Sequence, residues 1–249
     1  MPRPPLVLLP PSEGKAPAGR PSRAPDSFAD ELRETRAAVL AELGHVLRSH
    51  PPEVRARILG VRGELLDRAV AATVQLVEGT APVLPAWKRY SGVVWSGLGP
   101  DTLSPADRRR ILVPSGLYGM TTAADPVADY RLKLLVSLGG LGRLSTFWRP
   151  TLTGALARRA RGRTVIDLLP AEHAHALDIA ALDRTTRVVR VRFVDTDGRR
   201  SVGHEAKSAK GRLARAVIDG GLGVVPDFAF EGWRASVEDD LVTVVAPTR

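Results

Sequence analysis

Short, continuous apolar runs punctuate this sequence: LVLL at residues 6–9, ILV within ILVPSGLYGM, and TVIDLL. Each is too short for a buried helix and suits a strand covered on both faces. Helical stretches separate them. Ser27 to Asp30 has the S-x-x-D form of a capping box and is expected to open a helix reaching about Leu47. Pro51 and Pro52 break it. A second helix is expected from Glu53 to about Leu59, then a GVRG turn, then a third from about Glu64 to Val77. The linker APVLPAWKRY leads to SGVVWSGL and a second capping box, Ser104 to Asp107, with Pro105 at the first helical position. YRLKLLVSL reads as extended, FWRPTLTGALARRA as helical after Pro150, and HEAKSAKGRLARAVIDGG as helical from Ser208 onward. RVVRVRFVDTDGRRSVG alternates and turns at Asp197-Gly198, and RASVEDDLVTVVA is a second hairpin candidate. Interleaved strands and helices imply one α/β (α+β mixed) domain over residues 1–249 with a mixed sheet.

Composition narrows the function. The 249 residues are 44% hydrophobic and 25% charged, an ordinary globular balance. No apolar run approaches the roughly 18 residues of a membrane span, and no signal-peptide pattern or cysteine is present. A cytoplasmic protein without disulfides or membrane contact is expected. The net charge of +9 favours an anionic partner. Five lysines stand against 31 arginines, a bias typical of a GC-rich genome. The lysines fall in PPSEGK (Lys15), AWKRY (Lys88), DYRLKL (Lys133) and EAKSAKGR (Lys207, Lys210). An ammonium is not interchangeable with a guanidinium at a tight site, so several of these lysines are expected to converge on one anion site.

Several motifs have two readings. Lys207, Lys210 and Arg212 stand where a helix opening near Ser208 already presents its positive pole. Either the turn is solvated, or an anion supplies the missing charge. GVRG is either an ordinary turn between helices or the hairpin of a helix-hairpin-helix element, whose glycines let N–H groups reach a DNA phosphate. Its Gly60 and Gly63 are spaced one residue wider than the usual hairpin. Arg55, Arg57, Arg62 and Arg68 flank it. PPSEGK lacks P-loop spacing, yet Ser12, Glu13 and Lys15 follow the first strand, where ligands of α/β sheets bind. Ser115 and Tyr118 belong to the PSGLYGM turn, and Tyr118 is either a buried ring or a stacking platform. Asp125, Tyr130 and Arg131 follow, with an Asp–Arg pair as the structural alternative. EHAH puts His173 and His175 on different faces of a helix, so no metal is expected, and no cofactor.

LVLLPPSEGK, YSGVVWSGL, PSGLYGMTTAADPVADYRLKL, FWRP, VIDLLPAEH and EAKSAKGRLARAVID occur in the order seen in the YaaA family of peroxide-stress proteins, and the chain resembles that family along its whole length. The resemblance implies a cytoplasmic bacterial protein tied to limiting free iron and DNA damage under hydrogen peroxide. It implies one α/β domain with a basic cleft and a helix-hairpin-helix element, here at about residues 51–77, that binds duplex DNA. The wider glycine spacing departs from that pattern, and SLGGLGRL replaces a charged segment of the family. The expected function is therefore sequence-independent DNA binding by a non-enzymatic monomer. The alternative is an enzyme acting on a nucleotide or other phosphorylated small molecule in the cleft.

Overall fold

The computed structural model describes residues 3–17, 19–22, 26–201 and 203–248. The chain runs β1 (Leu6–Leu8), α1 (Ala29–Ser49), α2 (Pro52–Leu59), α3 (Glu64–Val77), β2 (Val83–Pro85), α4 (Ala86–Arg89) and α5 (Val93–Leu98). Then come α6 (Pro105–Arg108), β3 (Ile111–Ser115), β4 (Gly119–Thr122), β5 (Pro126–Ala128), α7 (Leu144–Arg159), β6 (Val165–Asp167) and α8 (Ala171–Ala174). The last part holds α9 (Ile179–Asp183), β7 (Val188–Val194), α10 (His204–Gly220), β8 (Ala229–Phe230), β9 (Trp233–Glu238) and β10 (Leu241–Val245). No described helix is long and apolar enough to cross a membrane.

The expected mixed sheet is present, with eight strands in the order β4-β3-β1-β6-β7-β10-β9-β8. Strands β3, β1, β6, β7 and β10 run parallel, and antiparallel strands close both ends. Strands β2 and β5 form a separate antiparallel pair. The apolar runs occupy the central positions: Leu6, Val7, Leu8 and Leu9 are fully buried, as are Ile111, Leu112 and Val113. From β1 the chain moves to β3 on one side, whereas from β6 it moves to β7 on the other. Such a reversal leaves a crevice outside the carboxyl ends of the two diverging strands.

Several local expectations differ from the structure. The hairpin expected to turn at Asp197-Gly198 is reduced to a single bridge, Val194 to Arg200, because β7 is already flanked by the parallel strands β6 and β10. Helix α1 starts at Ala29 without a side-chain cap, because the Ser27 hydroxyl donates instead to Asp125 Oδ1 at 2.7 Å. Helix α7 starts at Leu144, ahead of Pro150. Buried Leu144 and Trp148, whose Nε1 donates to Gly116 O at 2.9 Å, anchor its first turns against the proline. YRLKLLVSL contributes no strand. The second capping box is formed: Asp107 N donates to Ser104 Oγ at 3.1 Å.

Candidate functional site

The loop leaving β1 is strapped to the end of α4. Ser91 N donates to Gly14 O at 3.1 Å and Ala16 N to Arg89 O at 2.9 Å. Arg89 itself is fully buried and donates to the carbonyls of Val127 (3.0 Å), Pro82 (3.1 Å) and Ala16. A Cβ on Gly92 would sit 2.4 Å from Ser12 Oγ, so only glycine allows that approach.

This strap places Lys15 among aromatic rings. Its Nζ donates to Ser12 O at 2.8 Å and lies 4.4 Å from the centroid of Tyr130 and 5.8 Å from that of Tyr90. The Tyr90 and Tyr130 hydroxyls are 2.9 Å apart. Tyr118 packs edge-on against Tyr130 at 5.5 Å, and its hydroxyl accepts from Ala128 N at 2.9 Å. Burial raises all three phenols, Tyr118 to about 12, so none ionises near neutrality. Burial lowers the Lys15 ammonium to about 8; Arg131 adds to the fall, while Asp129 and Glu13 oppose it. One Asp129 oxygen, Oδ1, is buried without a hydrogen-bond partner.

Glu13 pairs with Lys133 at 2.5 Å on the rim, where both side chains are exposed and the pair adds little stability. Lys133 holds the Glu13 carboxyl below its ordinary range. Beyond the rim lies a second group. Asp167 ends β6, accepts from Leu169 N at 2.9 Å, and is raised by burial, with Lys210 and Arg190 opposing. Burial lowers Lys210 to about 8, and its Nζ lies 5.5 Å from the Phe193 centroid. Burial drops His173 to about 4, against the pull of Glu172, and Lys210 and Lys133 depress it further. His173 therefore feels a cation from each group. Among the described residues, neither Lys15, Arg131 nor Lys210 has an ion-pair partner.

The α2–α3 connection borders the rim. A Cβ on Gly60 would lie 3.9 Å from Lys133 Cε. Gly60 (φ 67°) and Gly63 (φ 56°) both adopt the left-handed region. The N–H groups of Gly60 and Val61 are held by Ala56 O, and that of Leu66 by Gly63 O. The N–H groups of residues 62–65 have no partner among the described residues. Arg57, Arg62 and Arg68 are exposed, Arg55 is half-buried, and Glu64 and Asp67 sit in the first turn of α3.

The structure thus gathers Ser12, Glu13, Lys15, Ser115, Tyr130, Arg131 and Lys133 at one place, while Lys210 stands with Asp167 and His173. Tyr118 is a packed, hydrogen-bonded ring that supports Tyr130. Asp125 lies apart and pins a turn, accepting from Ser27 Oγ and from Thr122 N at 2.6 Å. Lys88 caps the Trp87 ring together with Arg108, and Arg212 lies over Phe230. Helix α10 opens at His204, not near Ser208. Lys207 is its fourth residue and exposed, Lys210 its seventh, and Glu205 supplies an acid to the first turn. Lys210 and Arg212 are therefore clear of the positive pole, whose influence fades within one turn. Arg89, Tyr90, Asp129 and Asp167 were not singled out by the sequence, and His173 was weighed only as a metal ligand. Their motifs were, but only tertiary contact distinguishes them within those motifs.

A cleft of ≈ 360 Å³ lies between α5 and α10, lined by Ser91, Gly92, Ser96, His204, Ser208 and Arg212 among others. The helices cross closely: a Cβ on Gly211 would lie 2.2 Å from Val94 O, and one on Gly97 2.7 Å from Ser208 O.

Residues 6–236 match the family described as peroxide stress protein YaaA. A UPF0246 protein of Corynebacterium efficiens is 36% identical over 219 residues, covering 85% of this chain and 84% of its own. One from Streptomyces coelicolor is 35% identical, covering 86% and 82%. One from Burkholderia thailandensis is 34% identical, covering 61% and 65%. The chain belongs to the YaaA peroxide stress protein family.

Proposed function

We propose that this protein acts in the cytoplasm, as a monomer, in defence against peroxide, binding duplex DNA through its phosphates and limiting iron-driven damage there. The observation that carries the reading is the α2–α3 turn. Two glycines in the left-handed region leave the N–H groups of residues 62–65 free, beside exposed Arg57 and Arg62. Free N–H groups at the start of a 14-residue helix suit a phosphate. The turn abuts Lys133, so a duplex on it meets the strand-end cations too. Phosphate contacts carry no sequence information. Glu64 and Asp67 oppose an anion at the same turn and limit affinity.

Anisotropy titrations of two unrelated duplexes across salt test this. The double change Arg57→Ala, Arg62→Ala is expected to weaken both duplexes equally and to flatten the salt slope by about 0.9 per lost contact. A folded double variant with unchanged affinity and slope removes the hairpin from the interface.

A second reading is favoured by Lys15 and Lys210, two desolvated amines lacking ion pairs at the β1/β6 crevice. Here the protein is an enzyme for a nucleotide or other phosphorylated small molecule. A nucleotide would then raise the melting temperature by mass action, and Lys207→Gln with Lys210→Gln would abolish the rise. No shift with any nucleotide in a panel rejects it.

A further inference from the structure

Lys15 is built unlike a residue whose task is to attract phosphate. A phosphate-binding lysine works as a hydrated, charged ammonium. Lys15 has instead been withdrawn onto the faces of Tyr130 and Tyr90, with one hydrogen bond, to Ser12 O at 2.8 Å. No carboxylate lies within ion-pair distance of it among the described residues. Arg131 stands beside it and disfavours its protonation, and Asp129 nearby keeps an oxygen, Oδ1, buried and unpaired. Desolvation and a neighbouring cation are the conditions that turn a lysine into an amine nucleophile. With its ammonium lowered to about 8, a useful fraction is neutral near physiological pH. The rim residue Glu13, two positions before Lys15, pairs with Lys133, which touches the α2–α3 turn.

We propose that Lys15 is the nucleophile of an abasic-site lyase activity, acting on the aldehyde of a baseless deoxyribose in duplex DNA. The inference rests on the DNA-binding reading above and names the lesion that the bound DNA presents. Oxidative attack on DNA releases bases and leaves such aldehydes. Neutral Nζ adds to the C1′ aldehyde, and the carbinolamine loses water to give a protonated imine. Asp129 takes the proton from C2′. The electron pair of that C–H bond forms the C1′–C2′ enamine and then expels the 3′-phosphate as the C3′–O bond breaks. Water hydrolyses the imine, returning the amine and balancing the water lost earlier. No oxidant, reductant or metal enters. The Tyr90 and Tyr130 phenols stay protonated and offer an uncharged wall, which leaves the proton to the carboxylate of Asp129, whose buried Oδ1 has no hydrogen-bond partner.

The test is borohydride trapping, which reduces the imine to a stable secondary amine. The full-length protein is incubated with a duplex carrying one abasic site, with the matching intact duplex, and separately with 2-deoxyribose 5-phosphate. The expected result is a covalent adduct with the abasic duplex alone of the two, mapped by peptide mass spectrometry to Lys15. Mapping on the unaltered protein needs no variant to fold. Lys15→Gln is expected to abolish the adduct, and the adduct yield of the unaltered protein is expected to fall about tenfold per pH unit below 7. The titratable groups around Lys15 are Glu13, Asp129, Arg131, Arg89, Tyr90 and Tyr130, and no histidine is among them. Binding of intact duplex without any adduct, or an adduct on Lys88, Lys133, Lys207 or Lys210, overturns the inference and leaves DNA binding standing. An adduct at Lys15 with the sugar phosphate but no binding of either duplex overturns the DNA reading and the lyase together, leaving only a reactive amine.

Discussion

The strand-end group and the α2–α3 turn are both cationic and touch at Gly60 and Lys133, yet they are made in opposite ways. Around Lys15 the chain from four distant places is locked by Arg89, by the Tyr90–Tyr130 hydroxyl pair and by glycines that admit no side chain. Around Gly63 the arginines stand in water with few partners, and the backbone offers free N–H groups. Burial shifts the proton affinities of Lys15 and the phenols around it. The first suits chemistry at a fixed point. The second suits contact with a polyanion, where strength comes from released counterions and position matters less.

Arg89→Ala should have the largest effect on the fold. It strands three buried carbonyls and opens a cavity, costing about 3–5 kcal/mol by denaturant unfolding. A loss below about 1 kcal/mol would mean that the strap is not rigid. Next is Gly211→Val, where the added side chain meets Val94 O; about 1–3 kcal/mol of stability should go, with α10 displaced from α5.

The titration of Lys15 sharpens the comparison further. Its folded value of about 8 lies below the ordinary 10.5, so the unfolded chain binds more protons between the two. Stability should therefore rise as pH climbs from about 8 toward 10.5, and Lys15→Met should flatten that rise. A Lys15 side-chain resonance that titrates above pH 10 would erase the distinction between the two regions. Smallest of all is the effect of Arg57→Ala and Arg62→Ala on folding, expected within about 0.5 kcal/mol each, although the pair weakens DNA binding. A large loss of stability there would make those arginines structural.

The same contrast decides what could be read from sequence. The α2–α3 turn was legible, because its helices and glycines are consecutive and Glu64–Val77 follows local pattern alone. LVLL and the β9–β10 hairpin were legible for the same reason. Within the strand-end group the lysines were visible through their rarity. Tyr90 meeting Tyr130, or Ser27 leaving its helix for Asp125, depends on residues 40 and 98 positions apart. No local rule reports such distances. Lys88 and Arg212 show the converse: a rare lysine and a motif arginine sit on the aromatic faces of Trp87 and Phe230.

The place of β1 in the sheet has a consequence for synthesis. Leu6–Leu8 is made before either of its two neighbours, residues 111–115 and 165–167. At about 5–20 residues per second, roughly 8–30 s pass before the second partner exists. Until then a wholly apolar segment waits with an open edge. A nascent chain stalled before Val165 therefore cannot close its sheet, and its first strand is the one quality control would meet.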